Sequence, residues 1–181
     1  MELLRDVDKP LVADIGTGSG CIAVAIAAAL PAAKVVATDA SEVVLSLAEE
    51  NIELHELQSR LTLRRGNLYQ ALLPDEQYDL IISNPPYIRV SEYSGLMPEV
   101  KDFEPPQALV AGEDGLSALR PLIEGAPQHL KQGGYLIVEF GIDHAEPVSE
   151  IARRTERFGP PEIVIDYNSQ PRGAVLRALT N

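Results

Sequence analysis

Short apolar runs rich in β-branched residues alternate along this chain with stretches whose apolar positions recur every three or four residues. That alternation predicts βαβ units around a mostly parallel sheet, an α/β fold. The first strand is expected over 11–15, followed by a glycine turn and a helix over 19–30 that Pro31 terminates. A second strand covers 34–38. Ser41 then caps a helix running to residue 56, with Val44, Leu45, Leu47, Ala48, Ile52 and Leu54 on its apolar face. A third strand covers 61–65. The apolar run 78–83 is a fourth strand, stopped at Asn84 because Pro85 and Pro86 cannot donate ladder hydrogen bonds. Residues 88–112 show no clear periodicity, and a loop of that length in a compact domain is usually functional, so they are read as a substrate-side lid. A helix over 116–130, a turn at 131–134, a fifth strand over 135–140 and a helix over 143–157 follow. Two last runs, 162–167 and 174–179, flank a turn-rich stretch and predict a C-terminal antiparallel hairpin, for seven strands in all.

Composition narrows the function classes. With 181 residues and 45% apolar side chains, the chain suffices for one core, and residues 1–181 are read as a single domain. The single cysteine, Cys21, has no partner, which points to a reduced, cytoplasmic setting. His55, His129 and His144 lack the spacing of a metal site, so no metal is expected. Fifteen basic against 27 acidic side chains give a net charge of −12, which disfavours nucleic acid as a partner. The longest apolar stretch, 21–31, is about a dozen residues against the roughly 20 that a membrane span needs.

Two motifs carry candidate chemistry. In Asp14-Ile15-Gly16-Thr17-Gly18-Ser19-Gly20 a strand runs into a glycine turn and then a helix, so a ligand can approach bare backbone at a helix N-terminus. A dinucleotide site would need G-x-G-x-x-G, and Cys21 stands where its third glycine belongs. Asp39, at the end of the second strand, is placed to accept the two hydroxyls of a ribose, or else to cap the helix after Ser41. The second motif is Asn84-Pro85-Pro86-Tyr87 at the end of the fourth strand, the same sheet edge as the glycine turn. The side-chain oxygen of Asn84 and the carbonyl of Pro85 can each accept one hydrogen of an NH₂ group, the prolines fix the backbone that aims them, and Tyr87 can stack on a planar group. Such a grip aligns a weakly nucleophilic amide nitrogen without a dedicated general base.

The G-x-G-x-G spacing resembles motif I of the class I methyltransferases, a Rossmann-like fold. That resemblance implies S-adenosylmethionine as cofactor, with Asp14 near its methionine ammonium group and Gly16, Thr17, Gly18, Ser19 and Gly20 passing beneath it. Asn67 and Leu68 fall where related methyltransferases approach the adenine edge, and Asn84 also borders the cofactor. Together with Phe103-Glu104-Pro105-Pro106-Gln107, Gly112-Glu113-Asp114-Gly115-Leu116, Val138-Glu139-Phe140-Gly141, Asp166 and Arg172, the chain resembles the HemK/PrmC family of protein-(glutamine) methyltransferases over nearly its whole length. The resemblance implies as substrate the glutamine of the Gly-Gly-Gln loop of a class-1 peptide chain release factor. The family's helical N-terminal domain is expected to be absent. His144 stands where that family has glutamine and Pro171 precedes the tail arginine, both expected to lie away from the chemistry.

Two rivals remain in view. The same grip suits an exocyclic amine of adenine or guanine in RNA or DNA, against which the charge of −12 argues. A scaffold that binds the cofactor without turnover is the other, against which an unbroken Asn84–Tyr87 motif argues.

Overall fold

A computed structural model describes residues 2–180. Seven strands form one sheet: β1 (Leu11–Ile15), β2 (Lys34–Asp39), β3 (Leu61–Arg65), β4 (Tyr78–Ser83), β5 (Leu130–Glu139), β6 (Glu162–Ile165) and β7 (Pro171–Arg177). Their spatial order is β3-β2-β1-β4-β5-β7-β6. The first five run parallel, and β7 is antiparallel to both β5 and β6. Chain order reverses between β1 and β4, which opens a crevice at their carboxyl ends.

The central strands β1, β2 and β4 carry apolar runs because both sheet faces are covered there. Val12, Val35 and Ala37 pack with Ala23, Val24 and Ala27 of helix α1 (Cys21–Ala29) and Ile52 of α2 (Glu42–Leu54). Ala13, Val36 and Ile81 point the other way, into a second core with Leu119, Leu122 and Ile123 of α6 (Leu119–Gly125) and Val148, Ile151 and Ala152 of α7 (Ala145–Arg154). Ser41 caps α2 as expected, its hydroxyl accepting from the Val44 N–H at 3.4 Å.

Several expectations need correction. The first helix starts at Cys21 rather than Ser19, because Gly20 holds a left-handed conformation (φ 83°) and keeps the chain in its turn. The helix expected over 116–130 is confined to α6 and a following 3₁₀ turn. Residues 131–134 belong to β5 and not to a turn: Leu130 already pairs with Tyr78, and Gly133 (φ 74°) absorbs a bulge before the regular ladder resumes at Tyr135. The final strand is Pro171–Arg177, three residues earlier than its apolar pattern suggests. The lid contains three one-turn helices, α3 (Val90–Tyr93), α4 (Pro98–Lys101) and α5 (Pro106–Leu109), the last two opened by prolines whose fixed φ suits a first turn.

Candidate active site

The glycine turn is tied to its neighbours before any ligand is considered. The N–H groups of Gly16 and Thr17 both donate to the Thr38 carbonyl at 2.8 Å, anchoring the turn on the end of β2. Gly16, Gly18 and Gly20 all have positive φ, and a Cβ on Gly16 or Gly18 would meet nothing within 4 Å. The turn therefore borders open space. Gly20 is different: its Cβ would lie 3.3 Å from the Ala48 Cβ, so this glycine serves the approach of α1 to α2.

Asp14 lies at the switch point, fully buried. Its Oδ2 accepts from the Thr17 hydroxyl at 2.6 Å and the Ala23 N–H at 3.1 Å, whereas its buried Oδ1 has no partner. Burial pushes this carboxyl up to about 6, against the opposing pull of those two donors, and Asp39 adds a smaller push. A cation near Asp14 would offset that cost. Asp39 Oδ1 accepts from the Ser41 N–H (2.9 Å), just ahead of the helix that Ser41 itself caps, and Oδ2 accepts from the Gly18 N–H (3.1 Å); each oxygen keeps a lone pair that could accept from a hydroxyl. Its carbonyl receives the Gly66 N–H, which sets Asn67 and Leu68 beside it on the same sheet edge. The Asn67 side chain is exposed and makes no cap hydrogen bond, so its amide is free toward a ligand.

The second motif stands next to the first. The Ser83 hydroxyl donates to the Ile15 carbonyl at 2.7 Å, joining the ends of β4 and β1 immediately before Asn84 and Gly16. Asn84 is exposed, Pro85 is buried, and Pro86 and Tyr87 are half-buried. The Tyr87 hydroxyl donates to Glu139 Oε1 at 3.2 Å, and burial together with Glu139 raises its pKa, so it remains a neutral donor. The sequence does not single out Glu139 as Tyr87's partner. Its only signal is a carboxylate set among Leu136, Val138 and Phe140 in a covered strand.

His144 is not remote from this motif. It is buried, its Nε2 hydrogen-bonded to the Asp114 carbonyl at 3.1 Å and its Nδ1 unpartnered. A Cβ on Gly115 would lie 2.6 Å from both the Tyr87 carbonyl oxygen and His144 Nε2, so the end of the lid, Tyr87 and His144 form one packed knot. Tyr87, Arg89, His144 and Arg172 line a cleft of about 200 Å³ beside it. A cleft of about 310 Å³ between α6 and α7 lies at the opposite, amino edge of the sheet and contains none of these residues. Among the described residues no helix is long and apolar enough to cross a membrane, and no group of three or more His, Cys, Asp or Glu is arranged to hold a metal ion.

Comparison with known proteins agrees with this geometry. The chain is 47% identical over 153 residues to the release factor glutamine methyltransferase of Geobacter sulfurreducens, across 84% of this chain and 53% of that protein. It is 46% identical over 178 residues to the protein of the same name from Gloeobacter violaceus, across 98% and 62%. The chain thus spans little more than half the length of these curated relatives. A methyltransferase from Pyrococcus furiosus superposes with a TM-score of 0.70 at 18% identity, over 99% of this chain and 81% of that one, and shares the class I methyltransferase fold. The model of the methyltransferase small domain matches residues 1–96, from the N-terminus through the glycine turn and Asn84–Tyr87, and the chain belongs to that family.

Proposed function

We propose that this chain transfers a methyl group from S-adenosylmethionine to the side-chain amide nitrogen of the Gly-Gly-Gln glutamine of class-1 peptide chain release factors, as a single domain acting in the cytoplasm. The observation that carries this reading is the juxtaposition of Asn84-Pro85-Pro86-Tyr87 with the glycine turn, through the Ser83–Ile15 hydrogen bond at the switch point. The names of relatives 46–47% identical support it.

The residues present fit the cofactor. Gly16 and Gly18 leave clear the volume that a Cβ would fill, Asp14 retains an unpartnered carboxylate oxygen that a cationic group would satisfy, and Asp39 retains lone pairs for ribose hydroxyls. Thr17, Ser19 and Gly20 complete the turn, while Asn67 and Leu68 would border the base of the bound cofactor and Asn84 its methyl group. S-adenosylmethionine supplies a methyl group activated by a sulfonium and leaves as S-adenosylhomocysteine.

Asn84 Oδ1 and the Pro85 carbonyl each accept one hydrogen of the substrate NH₂, which turns the nitrogen toward the methyl carbon. Pro85 and Pro86 hold the two acceptors still. With the cofactor bound, the amide nitrogen would take the methyl group as its bond to sulfur breaks, and the same two acceptors would stabilise the positive charge developing on nitrogen. The extra proton then passes to water. Tyr87, held by Glu139, presents its ring to the planar amide.

A methyl-transfer assay with labelled S-adenosylmethionine tests the reading, using an intact release factor, the same factor with its Gly-Gly-Gln glutamine replaced, and bulk RNA. Label should enter the intact factor alone, and Asn84→Ala should lower kcat by roughly 10²–10³-fold, the cost of losing one preorganised transition-state contact. Label on RNA in place of the factor would sink it.

A further inference from the structure

The carboxyl edge of the sheet carries large apolar side chains that the fold does not use. Met97 and Phe103 on the lid are 66% and 82% exposed. The lid is not loose at its base: Ile88 N–H donates to the Leu109 carbonyl (2.9 Å), Ala111 N–H to Ile88 (2.8 Å) and Val90 N–H to Gly112 (3.0 Å). A clamped base therefore projects an uncovered tip. The turn joining β6 to β7 also rises from this edge, because Gly173 pairs with Glu139 at the end of β5, and its Tyr167 is fully exposed. Exposed aromatics on both sides of a catalytic motif are the kind of side chain that anchors protein interfaces.

Charge selects among the occupants. Within 97–104 the side chains of Glu99, Asp102 and Glu104 make no ion pair among the described residues. The one cation, Lys101, lies over the Tyr93 ring with its ammonium 5.7 Å from the centroid. An apolar tip rimmed by unpaired carboxylates repels a second copy of itself and repels nucleic acid, but complements a cationic protein surface with an apolar recess.

We propose that Met97 and Phe103 on the lid, with Tyr167 on the β6–β7 turn, dock the folded protein substrate by seating against a basic, partly apolar surface beside its target loop. The inference rests on the protein-substrate reading above and names the surface that would recognise that substrate. The acidic rim speeds encounter, and the apolar contacts slow dissociation.

Steady-state methylation of an intact release factor by wild type, Phe103→Ser, Tyr167→Ser and a Glu99→Lys/Asp102→Lys/Glu104→Lys triple variant tests it, with circular dichroism confirming that each folds. Each variant should raise KM for the factor by about tenfold, the effect of one anchoring contact. Turnover at saturating factor and the Kd for S-adenosylmethionine should hold. The wild-type KM should climb with salt more steeply than that of the triple variant. An unchanged KM in the variants, with wild type labelling the factor, overturns the docking surface while leaving the activity intact. A weakened cofactor Kd would mean that the tip closes over the cofactor instead, and a KM change matched by dissociation of a dimer would assign the tip to a second copy; either result overturns the proposal. Failure of wild type to label any release factor removes the substrate reading, and this surface with it.

Discussion

At the scale of a single residue, Asp14 combines full burial, two hydrogen bonds on one oxygen and none on the other. Its folded pKa, about 6, lies above the 3.8 of a free aspartate carboxyl. A carboxyl raised on folding contributes stability that is fully present below 3.8 and lost as pH rises through about 6. Asp14→Asn removes that titration. Wild type should therefore lose ~3 kcal/mol relative to the variant between those pH values and nothing further above them. The variant's own buried amide hydrogens lack a partner, which shifts its stability by an amount independent of pH. Urea unfolding of both proteins at pH 5 and pH 7.5 checks this, the gap changing by ~1.4 kcal/mol because only the upper half of the window lies between them, and a gap that does not change with pH rules it out. If Asp14 faces an ammonium group, S-adenosylmethionine affinity falls in the variant, while the variant's apo stability relative to wild type is greater at pH 7.5 than at pH 5.

At the scale of elements, the lid is held by the packing of its end against Tyr87 and His144. Gly115 makes that contact possible, with φ 73° and no room for a Cβ beside the Tyr87 carbonyl and His144 Nε2. Gly115→Ala adds backbone strain of ~1–2 kcal/mol and forces that knot apart. Because Pro85 and Tyr87 share the same short backbone, kcat should fall by about tenfold or more while the Kd for S-adenosylmethionine, whose proposed site lies at β1 and β2, changes little. Equal losses in both would place the fault in global folding. This knot also marks the limit of what the sequence discloses. Strands β1, β2 and β4 are legible because covered parallel strands carry near-continuous apolar runs, and Asn84–Tyr87 is legible because its four residues are contiguous. The partners Tyr87–Glu139 and His144–Asp114 are separated by 52 and 30 positions, and only the fold joins them. One-turn helices such as Val90–Tyr93 are shorter than the period that would reveal them. The bulge in β5 hides behind Gly133-Gly134, which reads as a turn until Tyr78 is seen to pair with Leu130.

At the scale of the whole molecule, the candidate site is assembled from the carboxyl ends of four strands, β1 to β4, so it exists only in the folded chain. A ligand that binds there must stabilise the entire fold through mass action, by ~2.7 kcal/mol at one hundred times its Kd. For a chain of this length each kcal/mol raises Tm by about 2–4 °C, so S-adenosylmethionine or S-adenosylhomocysteine at that concentration should raise Tm by roughly 5–10 °C. NAD should not. Its pyrophosphate would need the third glycine of G-x-G-x-x-G, where Cys21 stands exposed at the start of α1, and it would bring negative charge to a chain of net charge −12. The scans belong at one fixed ionic strength, because salt screens the self-repulsion of so acidic a chain and raises Tm on its own. A shift with NAD equal to that with S-adenosylmethionine would mean that the glycine turn recognises a nucleotide in general. Stabilisation by S-adenosylmethionine and S-adenosylhomocysteine but not by NAD, and its loss in Asp14→Asn, would tie the unpartnered oxygen of Asp14 to the ammonium group that NAD lacks.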